Sequence, residues 1–434
     1  MSAGSERAAA VGDVGRRDAR VCWHPYTQHG LESEFPAVRG ARGAVLELED
    51  GRELIDAISS WWTCLHGHGH PPIGRAIAAQ LEQLDHVLFA GLTHEPAVRL
   101  AERLVEHAPA GLSRVFYSDN GSTAVEVALK IAYQQWVHRG EPERTVFVAL
   151  DGAYHGDTFG AMSAGEREPF FSAFGPLLFE VRHAAPNAGA LEATLRDLGP
   201  RAAAVIVEPL VQGAAGMRMH GADFVRAVRA LCDEHGVPMI ADEVMTGFGR
   251  TGRLFACERA GVSPDLLCLA KGLTGGMFPL SATLATETLF AAFRSTDRSR
   301  TFFHGHSFTA NPTGCAAALA SLDCCLADDV PGRLEALGAR IEARLAASPV
   351  ASSGSIGPLR RTGGIVAFDL VVPPDDDDGY LSRIAPELRA RALELGVLLR
   401  PLGNVVYALP PACTTPEQAD RIADAMLELV TTAG

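Results

Sequence analysis

Between residues 114 and 285, short apolar runs alternate with longer stretches in which apolar positions recur every three to four residues. This rhythm predicts βαβ units built around a mostly parallel sheet. The runs are Arg114 to Tyr117, Thr145 to Leu150, Ala202 to Val207, Val237 to Ile240 and Leu266 to Ala270. After the first of them, Val125, Ala128, Leu129, Ala132 and Trp136 fall on one helical face, so strand, tight turn and amphipathic helix are expected in succession. Each run ends in residues that carry chemistry: Asp119-Asn120-Gly121-Ser122, Asp151-Gly152-Ala153-Tyr154-His155, Glu208, Asp242-Glu243 and Lys271. Open α/β sheets bind ligands at the C-terminal ends of their strands, so these residues are expected to meet in one crevice.

The two ends of the chain read differently. Asp329 to Leu345 predicts a helix, with strands around Gly364 to Leu370 and Gly396 to Leu399, and Val21 to Ile58 predicts short, irregular strands. The expected division is a small domain contributed by residues 1–58 and 329–434 flanking a large domain of residues 59–328. Met1 to Arg20 reads as a frayed tail and Asp375 to Asp378 as a solvated acidic loop tip, with calcium binding the lesser alternative.

Length and composition narrow the classes. The 434 residues allow two to four folding units at about 100–200 residues each, and no apolar run approaches the ~20 needed to span a bilayer. The formal charge of −14 argues against a phosphate-backbone or anionic-lipid partner and leaves small molecules and other subunits. Nine scattered cysteines without a Cys-x-x-Cys pair, and an N-terminus without an apolar core, point to the cytoplasm.

Lys271 ends an apolar run amid glycines, where partial desolvation would lower its pKa toward nucleophilic use. A surface loop lysine is the plain alternative. Asp242, 29 residues upstream, is the carboxylate that an enzyme using pyridoxal phosphate places on the pyridine nitrogen. Gly121-Ser122 opens a helix whose N–H groups and dipole suit a phosphate, and Tyr154 offers an aromatic face. Each alone could be a cap or a packing residue; together in one sheet they are specific. Two rivals stand beside this reading. Gly247-Phe248-Gly249-Arg250-Thr251-Gly252 fits a dinucleotide fingerprint but lies mid-chain with no following acid. His66, His68 and His70 alternate as metal ligands could, yet Pro71-Pro72 and the intervening glycines read as a loop, and no metal is assigned.

With these residues in view, the chain resembles the class III aminotransferases. The stretch Ala241-Asp242-Glu243-Val244-Met245-Thr246-Gly247-Phe248-Gly249-Arg250-Thr251-Gly252, followed by Leu269-Ala270-Lys271-Gly272, is similar to that family's cofactor signature. The resemblance implies a fold type I α/β enzyme, with a large domain of mostly parallel sheet sandwiched by helices and a smaller α+β domain. It further implies pyridoxal 5'-phosphate as cofactor and a homodimer with sites at the subunit interface. By position it implies Lys271 as the Schiff-base lysine, Asp242 at the ring nitrogen, Gly121 and Ser122 at the phosphate and Tyr154 against the ring. Ser307, with Gly305 beside it, would reach the neighbouring subunit's site, although His304-Gly305-His306-Ser307-Phe308 departs from the family's His-Gly-Pro-Thr-Phe. Segments Trp23–Gln28, Ser59–Trp62, His66–Pro71 and Arg400–Asn404 extend the resemblance. They imply that Tyr26, Trp61, Trp62 and Tyr154 line the substrate pocket, that Tyr26 takes part in catalysis and that Arg400 pairs with a substrate carboxylate. A long aliphatic keto-amino acid would want such an aromatic trough with one cationic end, and aromatic faces suit a sulfonium donor. Another ω-amino acid aminotransferase, acting on ornithine, 4-aminobutyrate or β-alanine, stays open, as does a cofactor-binding protein without turnover.

Overall fold

The computed structural model describes residues 12–32, 35–372 and 379–432. The acidic run Asp375–Asp378 and residues 1–11 of the expected tail lie outside them. The remainder of that tail is ordered otherwise than expected, since Asp13–Val21 form a helix whose first-turn Asp13 pairs with Arg17.

Seven strands form the central sheet, in the order Leu112–Ser118, Ser281–Thr286, Leu266–Leu269, Met239–Asp242, Ala202–Val207, Val146–Leu150 and Val181–Ala184. Only Ser281–Thr286 runs antiparallel to its neighbours. Four of the parallel strands, at 146–150, 202–207, 239–242 and 266–269, are buried along their whole length, which is why they read as continuous apolar runs and not as alternating patterns. Helices cover both faces. The helix Gly121–Arg139 begins with a capping box, in which Asn120 Oδ1 accepts the Thr123 N–H while Thr123 Oγ1 accepts the Asn120 N–H, and it ends at Gly140 in the left-handed conformation. Val125, Ala128, Leu129, Ala132 and Trp136 are all buried beneath the sheet, as their spacing predicts.

The chain ends meet in a second layer. Val397–Leu398 pairs in parallel with Glu53–Asp56, which continues antiparallel into Val45–Leu48 and Val38–Arg42. A three-stranded antiparallel sheet of Arg360–Thr362, Ile365–Asp369 and Val405–Ala408 lies beside it. The expected helix appears at Val330–Ala346 and packs against the final helix, Pro416–Thr432. One apolar cluster runs from Ile55 through the central strands to Leu429, so the N- and C-terminal segments share their core with the central sheet. Among the described residues no helix is long and apolar enough to cross a membrane.

Candidate active site

The C-terminal ends of the parallel strands open into a cavity of about 620 Å³, closed on the other side by Trp61, Trp62, Arg400 and Tyr407 from the terminal segments. Lys271, Asp242, Glu208, Tyr154, Gly121 and Ser122 all line it, although they come from stretches more than a hundred residues apart.

Lys271 starts a 3-10 turn directly after the strand Leu266–Leu269. Among the described residues its ammonium has no hydrogen bond or ion pair; it sits 4.7 Å from the centre of the Trp62 ring. Burial pulls its pKa down, and the nearby charges of Asp242, Glu208 and Asp157 only partly oppose that. Asp242 is held on both oxygens: Oδ2 accepts from His155 Nδ1 at 2.7 Å and Oδ1 from the Val244 N–H at 3.0 Å. Glu208 accepts the N–H groups of Tyr154 and Gly213, and burial raises its pKa to about 7.

The helix start is fixed by close packing. A Cβ on Gly121 would lie 2.5 Å from Val244 Cγ1, so only glycine lets the helix approach the Asp242–Val244 strand end this closely. Ser122 Oγ bonds Thr158 Oγ1 at 2.7 Å and accepts the Thr158 N–H at 3.0 Å. With Thr123 N–H given to the cap, the first N–H groups of the helix stand at the cavity, where the helix dipole favours an anion.

Trp61 and Trp62 sit on the turn that follows Ile58. Ser59, Ser60 and Trp62 have positive φ, a tight turn that non-glycine residues adopt only when held. Asp56 holds it, accepting the N–H groups of Ile58 and Ser60. Trp62 is 6% exposed and donates its indole N–H to Tyr407 Oη at 2.9 Å, whereas Trp61 is 42% exposed beneath the Arg400 guanidinium, 4.8 Å from the ring centre. Arg400 has no carboxylate partner among the described residues. Tyr26 packs edge-on to Trp61 at 5.7 Å. Its hydroxyl and that of Tyr154 both donate to Asp157 Oδ1, at 2.6 and 2.9 Å, and burial raises both phenols above their ordinary value.

Gly305 and Ser307 are exposed and lie outside this cavity. His306, where a proline was expected, accepts the Phe308 N–H on Nδ1 and caps its own turn. Sequence reasoning left His155, Asp157, Thr158 and Tyr407 unassigned. His155 followed Tyr154 at the same strand end, but nothing in its spacing aimed it at Asp242. The rival motifs also separate. His66 bonds Ser321, His68 bonds Asp56 and the His70 ring lies tilted against His66 at 5.1 Å, so the three imidazoles do not converge. Phe248 and Arg250 of the glycine-rich stretch are about 1% exposed, and Gly249 packs on Pro331, which leaves no open phosphate loop.

A seven-stranded sheet whose strand ends bring an unpaired lysine, a buried aspartate and a helix N-terminus into one cavity defines a class of enzyme. Residues 26–430 match the family model Aminotransferase class-III, and the chain belongs to that family: it is a fold type I aminotransferase whose cofactor is pyridoxal 5'-phosphate. The chain is 50% identical over 424 residues to an adenosylmethionine-8-amino-7-oxononanoate aminotransferase of Synechococcus elongatus, covering 94% of this chain and 98% of that one. It is 42% identical to the enzyme of that name from Geobacter sulfurreducens, covering 94% and 95%. The crystal structure of the Methanocaldococcus jannaschii enzyme of that name superposes with a TM-score of 0.91 at 34% identity, covering 97% and 99%. A pyridoxal-phosphate-bound amine transaminase from an uncultivated Pseudomonas species gives 0.88 at 34% identity, covering 95% and 99%.

Proposed function

We propose that this enzyme transfers an amino group to the keto carbon of 8-amino-7-oxononanoate, giving 7,8-diaminononanoate for biotin synthesis, with S-adenosylmethionine as donor. The carrying observation is the cavity's long apolar wall, Trp61, Trp62 and Tyr407, which ends at an Arg400 without a carboxylate partner. An eight- or nine-carbon chain with a terminal carboxylate matches that layout, and the names of the relatives supply the particular acid.

The residues present fit the cofactor on this chain's own features. Asp242, fixed by His155 and Val244, is placed for a protonated ring nitrogen; the helix start at Gly121 and Ser122, with Thr158, for a phosphate; and the unpaired Lys271 amine for an aldehyde. Tyr154 lines the wall between them. When bound, pyridoxal 5'-phosphate supplies an electron sink that lowers the cost of negative charge at the carbon bearing the amine. Lys271 Nζ, whose pKa burial has lowered, takes the proton from that carbon and returns it on the far side of the transfer. Asp242 keeps the ring nitrogen protonated throughout. Tyr26 and Tyr154, both tied to Asp157, close the donor end and orient the incoming amine. Arg400 holds the acceptor's carboxylate over Trp61 and so sets how far the keto carbon lies from Lys271.

Ser307 and Gly305 are exposed and outside their own cavity, so we read them as reaching the site of a second copy in a homodimer. Nine free thiols support a cytoplasmic setting. The test is to supply 8-amino-7-oxononanoate with S-adenosylmethionine, then with lysine, and assay the diamino product by mass. Product with either donor supports the acceptor assignment, and the faster donor is the physiological one. Failure with both, alongside activity on ornithine, 4-aminobutyrate or β-alanine, replaces it with an ω-amino acid reading.

A further inference from the structure

Glu126 follows Ser122 by four residues on the helix Gly121–Arg139, so the two side chains share one face a turn apart. Nothing in the transfer uses Glu126, and it does not line the cavity. The segment 156–161 lies against that face and comes very close to it. A Cβ on Gly156, whose φ is +123°, would overlap Ser122 Cβ and Oγ, and a Cβ on Gly160 would overlap the Glu126 carboxylate. Two glycines four residues apart thus seat the segment on two side chains four residues apart.

The hydrogen bonds show what this close approach does. Thr158 is the N-cap of the short helix Phe159–Ala164, a position from which a threonine hydroxyl ordinarily accepts the N–H of the second or third helical residue. It makes no such bond. Glu126 Oε1, from the neighbouring helix, takes its place: it accepts the Gly160 N–H at 2.6 Å, the Ala161 N–H at 3.2 Å and the Thr158 hydroxyl at 2.6 Å. With its proton given to Glu126, Thr158 Oγ1 accepts from the Ser122 hydroxyl at 2.7 Å, while the Thr158 N–H donates to Ser122 Oγ at 3.0 Å. The Ser122 oxygen is held in place from behind, and its hydroxyl proton is left to turn toward an incoming anion. No lysine or arginine pairs with Glu126 among the described residues; Lys130, the next turn on, contacts His304 Nδ1 at 3.1 Å. Glu126 therefore serves as an acceptor oxygen and not as half of an ion pair.

We infer that Glu126 is a positioning residue for the cofactor phosphate: by capping the helix Phe159–Ala164 in place of Thr158, it sets the Ser122 hydroxyl at the cavity. This role rests on the reading of Gly121 and Ser122 as the phosphate site. Ser122, Gly156 and Thr158 line the cavity, so Glu126 acts through them and touches no ligand itself.

The full-length enzyme, stripped of cofactor, is titrated with pyridoxal 5'-phosphate and separately with pyridoxal, and the absorbance of lysine-bound cofactor gives a dissociation constant for each without turnover. Pyridoxal is the same aldehyde without the phosphate, so the ratio of the two constants reads the phosphate site and is blind to a general loosening of the fold. Glu126→Ala is expected to weaken pyridoxal 5'-phosphate at least about tenfold and to leave pyridoxal within about twofold. Glu126→Gln keeps the acceptor oxygen and is expected to hold the ratio within about threefold of wild type. Gly160→Ala favours a helix by itself but drives a methyl into the carboxylate. It is expected to cause the same selective loss as Glu126→Ala and to add nothing to it in the double variant. A wild-type ratio in Glu126→Ala, or a loss shared equally by pyridoxal, overturns the inference. A wild-type ratio in Ser122→Ala overturns it together with the placing of the phosphate at this helix start, whereas a loss in Ser122→Ala with none in Glu126→Ala leaves that placing intact and removes only the role of Glu126.

Discussion

Replacing Arg400 by methionine keeps the length and apolar stem of the side chain and removes its charge. The guanidinium lies 4.8 Å over the Trp61 ring and has no carboxylate partner among the described residues, so its donors are free for a ligand. A hydrogen bond to a charged group contributes about 1.5–3 kcal/mol. At about 1.4 kcal/mol per decade, kcat/KM for the carboxylate-bearing acceptor is expected to fall about 10–150-fold. The cation–π contact adds about 0.5–1 kcal/mol of its own, and Trp61→Phe measures how much of the loss comes from the ring rather than the charge. The assay is rapid-mixing absorbance of the cofactor in each half-reaction separately, with an acceptor ester as a neutral comparison. The ester is expected to react alike with Arg400→Met and wild type. If the variant's kcat/KM for the free acid stays within about twofold of wild type, Arg400 is not the anchor and the proposed orientation of the substrate is wrong.

Two further outcomes are expected. Lys271→Ala should lose the absorption of lysine-bound cofactor and lower turnover by about 10²–10⁴-fold; a variant retaining both removes Lys271 from the mechanism. Glu243 is fully buried, accepts the Ala256 and Cys257 N–H groups, and is raised by burial to about 7 from 4.5. Its native pKa lies above its unfolded one, so its contribution to stability is complete below about pH 4.5 and lost as pH rises through about 7. Glu243→Gln removes this titration, and its stability deficit relative to wild type should shrink by up to about 3 kcal/mol over that range in denaturant melts; a deficit constant with pH refutes it.

Five of the seven strands of the central sheet, and the chemistry at their C-terminal ends, were legible in the sequence; the edge strand Val181–Ala184 and the antiparallel Ser281–Thr286 were not among the runs read there. Fully buried parallel strands leave no choice but continuous apolar runs, and a run that stops at Asp242 or Lys271 marks where backbone pairing gives way to chemistry. The amphipathic helix after Ser118 was legible for the same reason, since its period and its Asn120 cap are local. What the tertiary structure alone decided are pairings between distant strand ends. His155 reaches Asp242 only because the strands Val146–Leu150 and Met239–Asp242 flank Ala202–Val207 in one sheet, an order no local pattern records. Nothing local in Ser59–Trp62 signals the backbone the tryptophan pair adopts. The strained turn it adopts is held by Asp56, by Tyr407 and by a parallel pairing of Glu53–Asp56 with Val397–Leu398 from the other end of the chain. Local sequence specifies local periodicity and caps; strain at a site persists only where contacts from elsewhere over-determine it, and those contacts exist only once the chain has closed on itself.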